Sequence, residues 1–78
     1  MNNIKHIKAV GSLSKIKLEI LGLVAQGYTN NEIAFARDVD PNTINYHLRA
    51  TADKLCISRA SRVHLAVEYT KWRLANDK

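Results

Sequence analysis

The sequence predicts an all-α fold of four helices in a single small domain. Apolar residues recur at three- and four-residue spacing, and few stretches alternate with a period of two. Only one proline and three glycines interrupt the chain, and cap signals stand where the periodic segments begin. A chain of 78 residues removes only about 60% of its unfolded surface from water on folding, which argues against a large enzyme with a deep pocket.

The first helix is expected from Ser14 to Gln26, with Ser14 as N-cap and Gly27 in the left-handed position that closes helices. Its apolar residues, Ile16, Leu18, Ile20, Leu21, Leu23, Val24 and Ala25, cover well over half the wheel, so it must be covered on more than one side. After Tyr28, the pair Thr29 and Glu32 forms a capping box at the head of a second, short helix reaching about Arg37. Ile33, Ala34 and Ala36 are expected inward. Asp40 followed by Pro41 signals the third helix. At about 100 degrees per residue, Ile44, Leu48, Ala52 and Leu55 form one stripe of it. Asn42, Tyr46, Arg49 and Asp53 face the opposite way. Thr43, Ala50 and Lys54 flank that outer face, and Asn45 stands at its margin.

The fourth helix, expected from after Ser58 to about Leu74, carries two apolar stripes. Ala60, Val63, Val67 and Leu74 lie on one side and Leu65, Tyr69 and Trp72 on the other, with Arg59, Arg62 and Arg73 along an edge between them. One stripe can cover the core. The other needs a partner or covers the N-terminal segment, where Ile4, Ile7 and Val10 recur at three-residue spacing. Residues 1–12 are expected as a flexible tail, 13–74 as the domain and 75–78 as a second tail.

Twelve Lys and Arg against seven Asp and Glu give a net charge of +5, the sign of a polyanion binder. The balance is uneven: residues 29–40 carry −2, and 59–78 carry +3. One cysteine, Cys56, excludes an internal disulfide framework. No run approaches the ~20 apolar residues of a membrane span, and no signal-like segment opens the chain. A soluble, cytoplasmic protein is expected, with no membrane partner. His6, His47 and His64 are far apart in sequence and lack a second thiol to join them, so no metal site is expected and His47 reads as structural or as a backbone contact. Glu32 is taken by its cap. No convergent acid, base and nucleophile can be assembled, so neither catalysis nor a cofactor is expected.

A short capped helix, a tight turn and a helix with a polar outer face is a helix-turn-helix, which sets its second helix in the major groove of DNA. The residues that carry it are specific: Leu13-Ser14, Glu19-Ile20-Leu21, Ala25-Gln26-Gly27-Tyr28-Thr29-Asn30, Glu32-Ile33-Ala34, then Asn42-Thr43-Ile44-Asn45-Tyr46-His47-Leu48-Arg49 and Lys54-Leu55. In order and spacing this resembles the LuxR-type (LuxR/FixJ/GerE) DNA-binding domain over about Leu13 to Trp72. The run from Thr43 to Arg49 resembles its quorum-sensing branch most.

The resemblance implies a four-helix LuxR-type helix-turn-helix domain whose third helix reads bases on double-stranded DNA, whose second braces it, and whose fourth packs on its twin in a homodimer. By that resemblance Asn45, Tyr46 and Arg49 face bases, and Thr29, Asn30, Thr43 and Lys54 contact phosphates. Their chemistry suits these roles: a guanidinium donates bidentately to guanine, and a carboxamide pairs with adenine. Val63, Leu65, Val67, Tyr69 and Trp72 are the candidates for the dimer contact. Four departures from the family pattern bear on this. Ile16-Lys17 replaces Arg-Glu, removing an ion pair; Asn31 replaces a lysine; Cys56 replaces the glycine after Lys-Leu; and Ala60 replaces an arginine, with Arg59 and Arg62 as neighbouring substitutes. Full-length members carry a ligand-binding or phosphoacceptor domain ahead of this one, and no such effector site is expected in the dozen or so residues that precede it here.

The function expected is that of a standalone bacterial or phage transcription regulator, or a fragment of one. Two alternatives stand beside it. One is an interaction protein that pairs with full-length LuxR-type regulators and modulates them. The other is a sigma-factor-like module, which normally lacks the Asn-Tyr-His-Leu run.

Overall fold

The structure is a computed structural model that describes residues 10–57 and 61–76. Among the described residues Val10 and Gly11 are helical, and four full helices follow in order: α1 Lys15–Ala25, α2 Asn30–Arg37, α3 Pro41–Lys54 and α4 Arg62–Asn76. No strand occurs among the described residues, so the all-α reading holds. The expectations for Ser58, Arg59 and Ala60, and those for residues 1–9 and 77–78, lie outside the described residues.

The caps are those the sequence announces. Ser14 Oγ accepts from Lys17 N at 3.3 Å. Thr29 Oγ1 accepts from Glu32 N at 3.1 Å, while Thr29 N donates to Glu32 Oε1 at 2.8 Å. Asp40 Oδ1 accepts from Asn42 N at 2.8 Å, with Pro41 opening α3. Each cap satisfies a backbone N–H that the first helical turn leaves without a carbonyl.

The first three helices share one way of ending. Tyr28 N donates to Leu23 O, Val39 N to Ala34 O and Ile57 N to Ala52 O, each bond spanning five residues around a left-handed residue. This is the Schellman closure. Its left-handed residue is Gly27 at φ 98° after α1, but Asp38 at 59° after α2 and Cys56 at 61° after α3. A Cβ at Gly27 would meet nothing within 4 Å, so glycine is required there by backbone angle alone. Cys56 confirms the departure noted in the sequence: a thiol residue holds a conformation that favours glycine.

One core lies among the helices, built from Ile20, Leu21, Val24, Ile33, Ala34, Ile44, Leu48, Ala52, Leu55 and Leu65. Two expectations are corrected by it. Ala36, placed inward on the α2 wheel, is exposed. Val10, placed in a flexible tail, is fully buried, and Leu13 is buried with it. The physical reason is that this segment turns back onto the domain, Leu13 N donating to Val10 O at 3.1 Å and Gly11 lying against the Trp72 indole of α4. Residues 75 and 76, also assigned to a tail, extend α4.

The two stripes of α4 are now separated. Leu65 is fully buried, and Tyr69 and Trp72 pack against the core. A Cβ on Gly22 would stand 2.9 Å from Tyr69 Oη, and one on Gly11 3.0 Å from Trp72 Nε1. The glycines of α1 and of the segment before it thus seat the α4 aromatics. Val63 and Leu74 are about three-quarters exposed, and Val67 is exposed as well. In place of the ion pair lost at Ile16-Lys17, Arg37 Nη1 meets Glu19 Oε1 at 2.9 Å and ties α2 to α1. Among the described residues, no helix is long and apolar enough to cross a membrane.

Candidate nucleic-acid interface

The outer side of α3 is presented by everything beneath it. Ile44, Leu48, Thr51, Ala52 and Leu55 are buried on its inner side, packed with Ile33 and Ala34 of α2 and with α1. Burial of one side fixes the direction of the other. Asn42, Asn45, Tyr46, Arg49, Ala50 and Asp53 line an open hollow of about 470 Å³ along the outer side. Tyr46 is two-thirds exposed.

The three residues expected at base edges therefore meet on one surface. The surface offers a guanidinium, a carboxamide and a phenol, which between them donate, accept and supply an aromatic edge. Asn42 and Asp53 lie in the same hollow, although neither was expected to be a site residue. The helical wheel carried that signal, since both fall on the outer face. A carboxylate there suits a base amino group and opposes a phosphate.

The four residues expected at phosphates do not form one cluster. Thr29 and Asn30 stand together at the head of α2, where the free N–H groups of the first turn carry a partial positive charge. Thr29 holds the cap of that helix. The Asn30 Oδ1 accepts from Arg62 Nη1, and Arg62 Nη2 donates to Tyr28 O. Thr43 and Lys54 share one flank of α3, eleven residues and roughly 16 Å apart along its axis. Lys54 Nζ lies 3.5 Å from Ser12 O.

The acidic stretch beside this face is largely accounted for by local structure. Glu32 is held in the capping box and Asp40 caps α3. Both carboxylates are thus drawn to N–H groups rather than left facing solvent alone.

His47 lies on the flank of α3 turned toward α1, half-buried, its ring edge-on to Tyr46 at 5.7 Å. Burial, then the cations of Lys17 and Arg37, hold its imidazole below the ordinary pKa of 6.5. Its Nδ1 is buried without a hydrogen-bond partner among the described residues, beside a small hollow lined by Ile16, Ile20, Arg37, Val39, Thr43 and Ile44. No group of three metal-ligating side chains gathers among the described residues.

A second surface lies on the outer side of α4. Val63, Ala66, Val67, Thr70 and Lys71 line a shallow hollow of about 350 Å³, apolar in almost all its lining. Of the five candidates for a dimer contact, only Val63 and Val67 are on it. Leu65 is corrected to the core, and Tyr69 and Trp72 turn inward over Gly22 and Gly11, because the bulkiest side chains fill the space above those glycines.

Comparison with known proteins supplies the family. Residues 11–68 match the model of the bacterial regulatory proteins of the luxR family. The probable transcriptional regulatory protein SgaR of Hyphomicrobium methylovorum is 39% identical over 61 residues, which cover 77% of this chain and 29% of that protein. The chain thus spans under a third of the length of this relative. No solved structure matches. With the family match covering α1, α2, α3 and the start of α4, the chain belongs to the luxR family of bacterial regulatory proteins, and its helix-turn-helix is a DNA-binding domain of transcription regulation.

Proposed function

We propose that this chain regulates transcription in the cytoplasm of a bacterium, or on behalf of a phage, by binding a two-fold symmetric site on double-stranded DNA as a homodimer. Helix α3 enters the major groove. Asn45, Tyr46 and Arg49 read base edges, while Thr29, Asn30, Thr43 and Lys54 fix the register on phosphates. A second copy packs on the outer face of α4 through Val63 and Val67. The observation that carries this reading is the meeting of Asn45, Tyr46 and Arg49 on one exposed side of a helix whose other side is buried. The wording of residues 43–49 supports the quorum-sensing branch.

Titration into dyad-symmetric and random duplexes at two salt concentrations tests the reading. Arg49→Ala is expected to weaken specific binding by roughly 1–3 kcal/mol and leave random duplex nearly unaffected. An intact chain with no affinity for any duplex overturns it. The apolar outer face of α4 also supports a second reading, pairing with full-length LuxR-type regulators. Capture of such a regulator, lost in Val67→Asp, together with absent DNA binding, selects it.

A further inference from the structure

The head of α2, where Thr29 and Asn30 are proposed to meet the DNA backbone, is held by a side chain from the other end of the chain. Arg62 opens α4 and is half-buried. Its guanidinium reaches back 32 residues: Nη1 donates to Asn30 Oδ1 and Nη2 to the carbonyl oxygen of Tyr28. A guanidinium is planar, always charged and forked, so two bonds from its two arms fix its orientation. The Tyr28 carbonyl belongs to the turn that Gly27 makes possible. Arg62 thereby grips that turn and the first residue of α2 at once.

The consequence falls on Asn30. A carboxamide has an acceptor end and a donor end, and which end meets a polyanion decides whether it attracts or repels. With the oxygen committed to a cation, the NH₂ is the end presented to a phosphate. Without the cation, the group can rotate and turn its oxygen outward. The guanidinium also brings a full positive charge to the helix end whose N–H groups already favour anions.

We propose that Arg62 is a positioning residue for the DNA contact: it holds the Asn30 carboxamide with its donor end toward the phosphate backbone and fixes α4 to the head of α2. The proposal rests on the DNA-binding reading and deepens it. It also joins the two surfaces, because Val63, the next residue, lies on the outer face of α4. A second copy seated there and the phosphate contact of α2 share the first turn of one helix.

A double-mutant cycle tests it on the whole chain, with a dyad-symmetric duplex that the wild type binds. Arg62→Met and Asn30→Ala are each expected to weaken binding by about threefold to tenfold. The double variant should lose less than the two single losses combined, because part of the effect of Arg62 passes through Asn30. Thermal melts run beside the titrations keep loss of fold apart from loss of affinity. The Asn30 side-chain NH₂ resonances should shift in Arg62→Met, which a purely structural role elsewhere would not cause. Should Arg62→Met fail to fold, Arg62→Lys keeps the charge without the fork and is expected to bind less tightly than wild type.

A folded Arg62→Met that binds like wild type, additive losses in the double variant, or full affinity in Arg62→Lys each overturns the positioning role while DNA binding stands. A wild type that binds no duplex overturns both.

Discussion

Helices α3 and α4 are of nearly equal length, 14 and 15 residues, and each buries one side in the same core, yet their outer sides differ in kind. On α3 the outer side is polar and carries a guanidinium, two carboxamides, a phenol and a carboxylate. On α4 it is a strip of Val63, Ala66 and Val67 edged by Thr70 and Lys71, with mostly apolar surface between them. Water solvates the first at no cost. It solvates the second poorly, so an apolar strip on so small a domain marks a protein contact. The difference teaches that one scaffold can display two chemically separate surfaces, provided that each helix spends only one side on folding.

The most severe way to break this comparison is to attack the inner side of α4. Leu65→Ala is expected to cost about 2–5 kcal/mol of stability, the range for emptying a well-packed leucine site. Val63→Ala, on the opposite side, should fall within about 0.5 kcal/mol at concentrations where the chain is monomeric. Denaturant titration of both variants at low micromolar concentration gives the two numbers. A larger loss in Val63→Ala than in Leu65→Ala would mean that α4 is turned the other way.

The same pair of helices shows what the sequence can and cannot say. In α3 there is one apolar stripe, Ile44, Leu48, Ala52 and Leu55, so periodicity gives both the axis of burial and its direction, and the outer trio follows from it. In α4 there are two stripes, and periodicity alone supplies an axis without a direction. The signal that resolves it lies elsewhere: Gly22 on the buried side of α1 leaves room for an aromatic side chain, and only one α4 stripe has aromatics. The caps at Ser14, Thr29 and Asp40 were legible because capping couples a side chain to a backbone N–H two or three residues on. The Arg62 grip on Tyr28 and Asn30 spans more than thirty residues, so no local pattern encodes it. The burial of Val10 was half legible: it recurs at three-residue spacing with Ile4 and Ile7, but whether that segment finds an α4 stripe to cover it depends on the space between helices, which no period encodes.

A smaller effect is expected at the end of α3, where the comparison is with the end of α1. Both helices close on a left-handed residue, but one is Gly27 and the other Cys56. A side chain in that region costs roughly 1–2 kcal/mol, part of which glycine gives back in unfolded-state entropy. Cys56→Gly is therefore expected to raise stability by about 1 kcal/mol, and Cys56→Ala to change it little. Melts under reducing conditions give the difference. A destabilised glycine variant would show that the thiol makes a contact worth more than the strain.

The smallest expected effect concerns the flank of α3 and sharpens the contrast between its sides, because the outer face is open to water and His47 is half-buried. Burial, Lys17 and Arg37 all oppose charging this imidazole in the folded chain. Its folded pKa thus lies below that of the unfolded chain. Well above pH 6.5 neither state binds the proton and the stability is whole. As the pH falls below that value the unfolded chain takes up a proton that the folded chain resists, so stability declines with acid. Denaturant midpoints at pH 7.5 and 5.5 should show the decline in wild type and a shallower one in His47→Gln, whose carboxamide does not titrate. Equal slopes would mean that the flank is as open to water as the face beside it, and the imidazole would then be available to a phosphate rather than held for the fold.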